Sequence, residues 1–335
     1  MFFELADKLV LTQTQTRFAK LPAPKRVVAI VNPEASKGVG PNLLRLLQSR
    51  RRSAEVEIFT TEANSLNAHY AAFRFARENG ADRVIVAGGD GLIMQALTAM
   101  LDTGAPLPVA IVPIGTGNIV AGDLRVPRNF RWALRLAFHE AAIHWWDVGQ
   151  VSESGYFFAL RASAGHDANT LTHVRHQAKA RWGSMAYAIP AVRELMRMEP
   201  IQFQLTIDEM PPITVQGITA FVAVTSRMVG SIPFNLSQNI HADDGVLHGG
   251  VIHPRKFFQD LPRIMHQRAL EGEHTVSIYP VHRQITIESD PPQRTQIDGD
   301  LLGQTPLTVK VIPRGAPFVI PARHSEGWQV DTENG

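Results

Sequence analysis

Val84–Gly91 reads VIVAGGDG and gives the clearest indication of the fold. Its apolar, β-branched first half is typical of a strand that is buried on both faces of a parallel sheet. Glycines interrupt this run, and apolar residues at helical spacing follow from Leu92 to Leu101. A strand, a glycine turn and a helix in succession point backbone N–H groups at an anion such as phosphate. Asp90, within the turn, puts a carboxylate where a phosphate-bound magnesium ion would lie.

The same succession occurs at two other places. Val109–Val112 is a second buried-strand run, and it ends in the loop PIGTGN of residues 113–118. Val27–Val31 runs into residues 32–40, NPEASKGVG, which is not a Walker A loop because the GK[ST] ending is absent. Loops that follow parallel strands meet at one crevice of a doubly wound sheet. Together they predict a nucleotide-binding site.

The sequence predicts two domains that differ in secondary structure. Strand and helix patterns alternate over residues 25–147, which predicts a three-layer α/β nucleotide-binding domain with a parallel sheet. Residues 148–325 carry short β-rich runs between turn signals, interrupted by one helical pattern over 180–198, and predict an antiparallel, β-sandwich-like domain. We expect a cleft between the two, with the end of the second domain packing back on the first. Residues 1–24 form an amphipathic lead, and residues 326–335 form a tail.

Composition limits the class of protein. With 335 residues, 44% hydrophobic and 19% charged, the chain has the composition of a globular protein. Its net charge of +2 gives no global argument for nucleic acid as a partner. The chain contains no cysteine, which excludes thiolate chemistry and fits a reducing cytoplasm. No apolar run approaches the roughly 20 residues that span a bilayer. We therefore expect a cytoplasmic protein whose membrane contact is peripheral, at the inner membrane face.

Three elements resemble those of the diacylglycerol kinase catalytic-domain family, which includes bacterial lipid kinases and sphingosine kinases. They are Asn32-Pro33 with its Ser/Lys/Gly loop, Gly88–Gly91 and Pro113–Asn118. The second half continues the resemblance in the family's order. It contains elements similar to G-[FYH]-D-A at residues 165–168, K/R-x-G-x-x-x-Y at 181–187, D-D-G-x-L at 243–247 and D-G-[ED] at 298–300.

The resemblance implies a role for each matching residue. It assigns Asp300 as the general base and Asp90 as a catalytic residue that helps to hold magnesium. It also implies a structural magnesium site at Asp244, completed by backbone carbonyls near His241 and Val246. The residues that would bind ATP are Asn32, Thr60, Gly88, Gly89, Asp90, Gly91, Gly115, Thr116, Gly117 and Asn118.

Spacing alone gives plainer interpretations of some of these residues. Asp298–Asp300 has the pattern of a hairpin turn, and Trp145 and Trp146 are typical of packing at a domain junction. The chain also departs from the family pattern where Leu92-Ile93-Met94 replaces Thr-Val/Ile-Asn. Because a hydroxyl and an amide are lost there, this departure predicts weaker polar contacts with the phosphate donor.

The resemblance implies an ATP- and Mg²⁺-dependent lipid kinase, a phosphotransferase that acts on the hydroxyl of diacylglycerol or a sphingoid base in phospholipid metabolism. Its expected partners are ATP and a lipid at a membrane surface, without nucleic acid, and a homodimer is compatible with the sequence. Two alternatives remain open: an NAD kinase-like enzyme of the same superfamily, and a non-catalytic lipid- or nucleotide-binding relative. Retention of Asp90, Asp244 and Asp300 favours an enzyme.

Overall fold

The computed structural model describes residues 18–34, 39–49, 54–62, 65–166, 199–226, 236–237, 239–253, 275–298 and 300–322. The helix predicted over residues 180–198 lies outside this part of the chain. The described helices are α1 (Val39–Ser49), α2 (Asn67–Glu78), α3 (Asp90–Asp102), α4 (Ile119–Asp123) and α5 (Phe130–Ala137). None of them is long and apolar enough to cross a membrane.

The described strands fall into two sheets. They are β1 (Phe18–Leu21), β2 (Arg26–Val31), β3 (Glu55–Thr60), β4 (Arg83–Gly88), β5 (Val109–Pro113), β6 (Ala141–Val151), β7 (Phe157–Phe158), β8 (Arg161–Gly165), β9 (Ile201–Ile207), β10 (Ile213–Gly217), β11 (Thr219–Ala223), β12 (Leu247–Ile252), β13 (Val276–Val281), β14 (Gln284–Ser289), β15 (Arg294–Ile297), β16 (Asp300–Gln304) and β17 (Leu307–Ile320).

Four parallel strands in the order β5-β4-β2-β3 form the centre of the larger sheet. Every residue of β4 is buried, and its apolar run Val84–Ala87 is typical of a strand covered on both faces. Helices α1, α2 and α3 connect these strands in the alternating order that produces a parallel sheet. The predicted α/β half is therefore confirmed.

The larger sheet continues into the second half of the chain through β17. Near its end, β17 pairs in parallel with β5, with Phe318 opposite Val109. The same strand pairs antiparallel with β6 and β14, and β14 leads on to β9 and β10. β6 crosses the domain boundary predicted at residue 147, so the exact limits of the two domains stay predictions.

The smaller sheet is antiparallel throughout, with the strand order β13-β12-β11-β8-β15-β16. With the antiparallel strands of the larger sheet, it forms the β-sandwich-like half that the sequence predicts. Trp146 is buried at the join and meets the Phe318 ring edge-on, with 5.4 Å between centroids. This contact fits the packing role predicted for Trp146.

A buried arginine fixes the end of α5 against the α/β half. Arg83 is fully buried on β4, and its guanidinium donates hydrogen bonds to the carbonyl oxygens of Ala137 (2.9 Å) and His139 (3.2 Å). It also donates to the carbonyl oxygen of Pro22, at 2.5 Å, just after β1. A cation at a helix C-terminus satisfies carbonyl groups that lack partners within the helix. Arg83 thus holds α5 and the described start of the chain in place.

Candidate active site

The residues predicted to bind nucleotide lie at one edge of the parallel sheet. Asn32 follows β2, Thr60 ends β3, Gly88 ends β4, and residues 114–118 follow β5. The Asn32 N–H donates to the Ala87 carbonyl oxygen at 3.4 Å, and the Ile114 N–H donates to the Gly88 carbonyl oxygen at 3.2 Å. We call Asn32, Thr60, Gly88–Gly91 and Gly115–Asn118 the glycine-loop edge. The structure brings the whole predicted set together there, at the place where open α/β sheets bind ligands.

The two glycine loops touch through their backbones. A Cβ atom built on Gly115 would lie only 2.4 Å from the Cα atom of Gly89. Such a contact leaves no room for a side chain, so glycine is required at position 115 for the loops to approach this closely. Because the two loops are in contact, their backbone groups lie next to each other at the same surface of the protein.

Asn118 closes the second loop on itself. Its backbone has φ of 48°, in the left-handed region that asparagine tolerates better than most residues. Its Oδ1 atom accepts a hydrogen bond from the Gly115 N–H at 3.0 Å, and its Nδ2 donates to the Gly115 carbonyl oxygen at 2.7 Å. Thr116 and Gly117 are exposed at the tip of this loop. The side chain of Asn118 therefore shapes the loop.

Asp90 joins the first loop to the second. Its Oδ2 atom accepts a hydrogen bond from the Ile119 N–H and its Oδ1 atom accepts one from the Val120 N–H, each at 3.1 Å. Burial raises the pKa of Asp90, and the hydrogen bonds from backbone amides oppose this effect. Both carboxylate oxygens thus already have partners within the protein. A contact between Asp90 and magnesium, which stays a prediction, would use the remaining lone pairs.

Leu92 and Met94 face the protein interior. Both are buried on α3, and a Cβ atom built on Gly88 would meet the Leu92 side chain at 2.4 Å. The Met94 Sδ atom accepts a hydrogen bond from the Ala159 N–H at 3.1 Å. One turn further along α3, Thr98 Oγ1 accepts from the Phe157 N–H at 3.3 Å. These side chains pack the glycine loop and attach α3 to the segment around β7.

A cavity of about 370 Å³ opens beside the glycine-loop edge, between α3 and the hairpin of β15 and β16. Gly91 belongs both to the glycine-loop edge and to the cavity lining. The other polar lining residues are Gln95, Thr98, Asp298 and Asp300. The apolar lining residues are Leu66, Met94, Tyr156, Phe157, Ile297, Leu301 and Leu302.

Asp298 begins the turn of this hairpin. Ile297 pairs with Asp300 across the two strands, and Asp298 has φ of 50°, as an Asp-Gly hairpin turn favours. The Asp298 N–H donates to the Arg161 carbonyl oxygen at 2.9 Å, and Asp298 Oδ1 accepts from the Arg161 N–H at 2.7 Å. The hairpin predicted from spacing is therefore present, and two hydrogen bonds fix its turn to β8.

The second carboxylate oxygen of Asp298 has no such partner. Asp298 Oδ2 is buried and accepts no hydrogen bond in the described part of the chain. Burial, together with the charges of Asp90 and Asp300, raises the pKa of Asp298 to about 7, although the hydrogen bond from the Arg161 N–H opposes this effect. A carboxyl group with a pKa near neutrality, in a cavity, is suited to accept a proton. Asp298 belongs to the D-G-[ED] element and to the predicted hairpin turn, but neither pattern predicted a chemical role for it.

Asp300, the residue assigned as base by resemblance, lines the same cavity and is exposed. The hairpin therefore presents two carboxyl groups, one buried and one exposed. We call β15, β16 and the turn between them the acid hairpin. Gln95 Oε1, another oxygen without a hydrogen-bond partner among the described residues, belongs to the opposite wall on α3.

The loop predicted to hold a structural metal lies above a buried carboxyl group. Asp244 and His241 are exposed, and Asp244 Oδ1 accepts a hydrogen bond from the Val246 N–H at 3.0 Å. Below them, Asp147 is fully buried and accepts hydrogen bonds from the Gly245 N–H at 2.7 Å and the Arg314 N–H at 2.8 Å. Burial, together with the charges of Asp244 and Asp243, raises the pKa of Asp147 to about 6, although the two backbone hydrogen bonds oppose this effect.

The described residues contain no group of three or more histidine or acidic side chains arranged around one metal position. A hard cation on the 241–246 loop would instead combine one carboxylate with backbone carbonyls, which are ligands that magnesium and calcium accept. The acidic surroundings of Asp147 fit such a cation, and the site stays a prediction.

An α/β half with glycine loops at its sheet edge, joined to a β-sandwich, defines a class of kinase fold. Residues 26–151 match the family model "Diacylglycerol kinase catalytic domain", and residues 161–319 match "YegS C-terminal NAD kinase beta sandwich-like domain". Together the matches cover most of the chain. The chain belongs to the diacylglycerol kinase catalytic-domain family, a family of diacylglycerol and other lipid kinases, as its motifs predict.

Individual relatives agree with this assignment. The chain is 28% identical to a diacylglycerol kinase of Mycobacterium tuberculosis over 229 residues, which are 66% of this chain and 71% of that protein. A crystal structure of a putative diacylglycerol kinase from Bacillus anthracis matches with a TM-score of 0.71 at 22% identity, over 90% of this chain and 99% of that one. Yeast NADH kinase in complex with NADH matches with a TM-score of 0.51 at 11% identity, over 93% of this chain and 90% of that one, and shares the fold alone.

Proposed function

We propose that this protein transfers the γ-phosphoryl group of ATP to the hydroxyl group of a lipid. The observation that carries the proposal is a cavity lined both by Gly91 of the glycine-loop edge and by the two carboxyl residues of the acid hairpin, Asp298 and Asp300. Phosphoryl transfer requires a cradle for the phosphates and a group that orients the attacking hydroxyl. The glycine-loop edge would supply the cradle, and the acid hairpin would supply the orienting carboxyl group.

The glycine-loop edge would bind ATP. Backbone N–H groups at strand ends and at the start of α3 are suited to phosphate oxygens, and the closely apposed Gly89 and Gly115 let phosphates approach the main chain. Asn32 and Thr60, on the neighbouring strands β2 and β3, would line the rest of the nucleotide site. Because Leu92 and Met94 are buried, the phosphates would contact backbone N–H groups here and not these two side chains.

The acid hairpin would hold the acceptor. A lipid hydroxyl in the cavity would donate its hydrogen bond to the carboxyl group of Asp298, whose raised pKa suits it to take the proton as the phosphoryl group transfers. Asp300 would assist from the exposed side of the turn. The resemblance favours Asp300 as the base, whereas burial and the missing partner favour Asp298.

Magnesium would bind beside the phosphates through the remaining lone pairs of Asp90. When bound, the ion would neutralise charge on the phosphates. The described residues do not form a complete set of protein ligands for the ion, as expected for magnesium, which binds through one or two carboxylates and substrate phosphates.

The chemistry of the cavity favours a lipid alcohol over NAD. Its described lining combines carboxyl groups with apolar side chains and contains no cationic residue. A lipid headgroup with a hydroxyl can satisfy such a lining, whereas the diphosphate of NAD would meet the carboxylates unfavourably. The phosphate-transfer experiment below would distinguish diacylglycerol from a sphingoid base as the acceptor.

The direct test is transfer of labelled γ-phosphate from ATP to diacylglycerol, to a sphingoid base and to NAD in parallel reactions, with and without magnesium. We expect label on a lipid and none on NAD. Label on NAD would replace the proposal with an NAD kinase activity. Binding of ATP without transfer to any acceptor would indicate a non-catalytic relative.

A further inference from the structure

Two exposed apolar side chains lie at the mouth of the acceptor cavity. In the part of the chain that the structure describes, four large hydrophobic residues are exposed, and two of them, Tyr156 (42% exposed) and Leu301 (68%), line the cavity. Tyr156 precedes β7, and Leu301 lies on β16, so the fold brings them together from distant parts of the sequence. Single exposed apolar residues are common, but apolar residues that converge on a pocket mouth mark an interaction site.

The size of the cavity indicates what must lie outside it. At about 370 Å³ it is at the low end of the roughly 300–1,000 Å³ of pockets that enclose small ligands. That volume accommodates a headgroup with its hydroxyl, whereas long acyl chains would extend through the mouth. Chains that leave the cavity into water would expose apolar surface at a large cost. They avoid that cost when the mouth faces a bilayer in which the chains remain.

The side chains beside the mouth have the chemistry of a membrane interface. Tyrosine has an apolar ring and a polar hydroxyl, which suits it to the boundary between acyl chains and headgroups. Burial and, to a smaller extent, the neighbouring Asp102 and Tyr156 raise the pKa of Tyr70, and the Tyr70 hydroxyl donates to Asp102 Oδ2 at 2.5 Å. The exposed Arg74 lies 5.9 Å from the Tyr70 ring centroid. One cation, Arg74, and two carboxyl groups, those of Asp102 and Asp300, belong to this set of side chains, so its net charge is small.

We propose that the mouth of the cavity, with Tyr156 and Leu301 at its rim, docks on a phospholipid bilayer and takes the acceptor directly from it. The inference rests on the proposed function, because it identifies how a lipid acceptor reaches the same cavity. Insertion of the rim depends on apolar contact, so binding to phosphatidylcholine vesicles should persist at high salt.

Paired variants test this proposal. The rim pair, Tyr156→Ser with Leu301→Ser, removes the two apolar side chains at the mouth. The control pair, Trp132→Ser with Met210→Ser, removes the other two large exposed hydrophobic side chains, which lie on α5 and in the turn after β9. All four residues are exposed, so both variants should fold, and circular dichroism would check this.

The first measurement is co-sedimentation with phosphatidylcholine vesicles. We expect the rim pair to lower the partition coefficient for the vesicles at least tenfold. The control pair should leave it unchanged. The second is kcat/KM for a long-chain acceptor in vesicles divided by that for a short-chain, dispersed acceptor. The rim pair should lower this ratio at least tenfold, and the control pair should not change it.

Three outcomes would overturn the docking surface: no binding of the native chain to vesicles, equal binding of the native chain and the rim pair, or equal loss in both variant pairs. Sedimentation requires no turnover, so it tests the surface even if no lipid is phosphorylated. Transfer to the dispersed acceptor without vesicle binding would sink the docking surface and leave the proposed function intact.

Discussion

The glycine-loop edge and the acid hairpin each contain a carboxyl group whose pKa is raised by burial, but the two groups differ in their hydrogen bonds. Both oxygens of Asp90 accept backbone N–H groups of the opposite loop. Only one oxygen of Asp298 does so, and the other is buried without a partner in the described structure. A buried polar atom without a partner costs free energy, and Asp298 is one of the residues that line the cavity. We therefore propose different roles for the two groups: Asp90 holds the glycine loops in place, and Asp298 acts on the acceptor hydroxyl.

Removing the charge from the acid hairpin should have the largest effect. Asp298→Asn keeps the Oδ1 atom that accepts from Arg161 but cannot take a proton. We expect kcat for lipid phosphorylation to fall by about 10²–10⁴-fold, the usual contribution of a general base, with the dissociation constant for ATP unchanged. Asp300→Asn, two residues away, is the matched control and should lower kcat much less. A large loss in Asp300→Asn with a small one in Asp298→Asn would return the role of base to Asp300.

The pH dependence should distinguish the same two carboxyl groups. Asp298 acts as a base only when ionised, and burial raises its pKa to about 7. We expect kcat/KM for the lipid to fall about tenfold per pH unit below that value, or about a hundredfold over two units, in a pH–rate profile of the native enzyme. The residual activity of Asp298→Asn should lack this acidic limb. A limb that persists in the variant would arise from another group.

The free energy of unfolding should change with pH in the opposite direction to the activity. Because the fold favours the protonated form of Asp298, the stability contributed by this group is fully present below its ordinary pKa and is lost as the pH rises through about 7. The enzyme should thus be most active in the pH range where ionisation of Asp298 costs stability. Such a conflict between stability and activity is expected at a catalytic site.

Separating the two glycine loops should impair the proposed ATP site. Gly115→Ala puts a methyl group 2.4 Å from the Gly89 backbone, so the loops must move apart. We expect kcat/KM for ATP to fall by about ten- to a hundredfold, because a displacement near 1 Å misaligns the phosphates. Steady-state kinetics with varied ATP would measure this effect. Gly303→Ala is the control, because its methyl group would meet only Thr295 Oγ1 at 3.9 Å, and similar losses in both variants would contradict the proposed ATP site.

The sequence predicted the glycine-loop edge well because its signals are local. Each loop directly follows an apolar strand, and parallel strands place their ends together, so Asn32, Gly88 and Gly115 converge as expected. The acid hairpin was harder to predict, since an Asp-Gly turn is common and its burial depends on Arg161 and α3, which are distant in sequence. The interior positions of Leu92 and Met94 could not be predicted, because the partner of Met94, the Ala159 N–H, lies 65 residues away.

The smallest expected effect is at the join between the two regions. Thr98 Oγ1 on α3 accepts the hydrogen bond of the buried Phe157 N–H, next to the mouth residue Tyr156. Thr98→Val keeps the shape of the side chain but leaves that N–H without an acceptor, which should lower the free energy of unfolding by about 1–3 kcal/mol. Thr103→Val is the control. Its hydroxyl donates to the Ala99 carbonyl oxygen, which keeps its hydrogen bond from the Thr103 N–H at 3.1 Å, so the change should stay within about 0.5 kcal/mol. Denaturant unfolding would compare the two variants. Equal stability in both would mean that the Phe157 N–H finds another partner and that α3 is attached to β7 through Met94 and apolar packing alone.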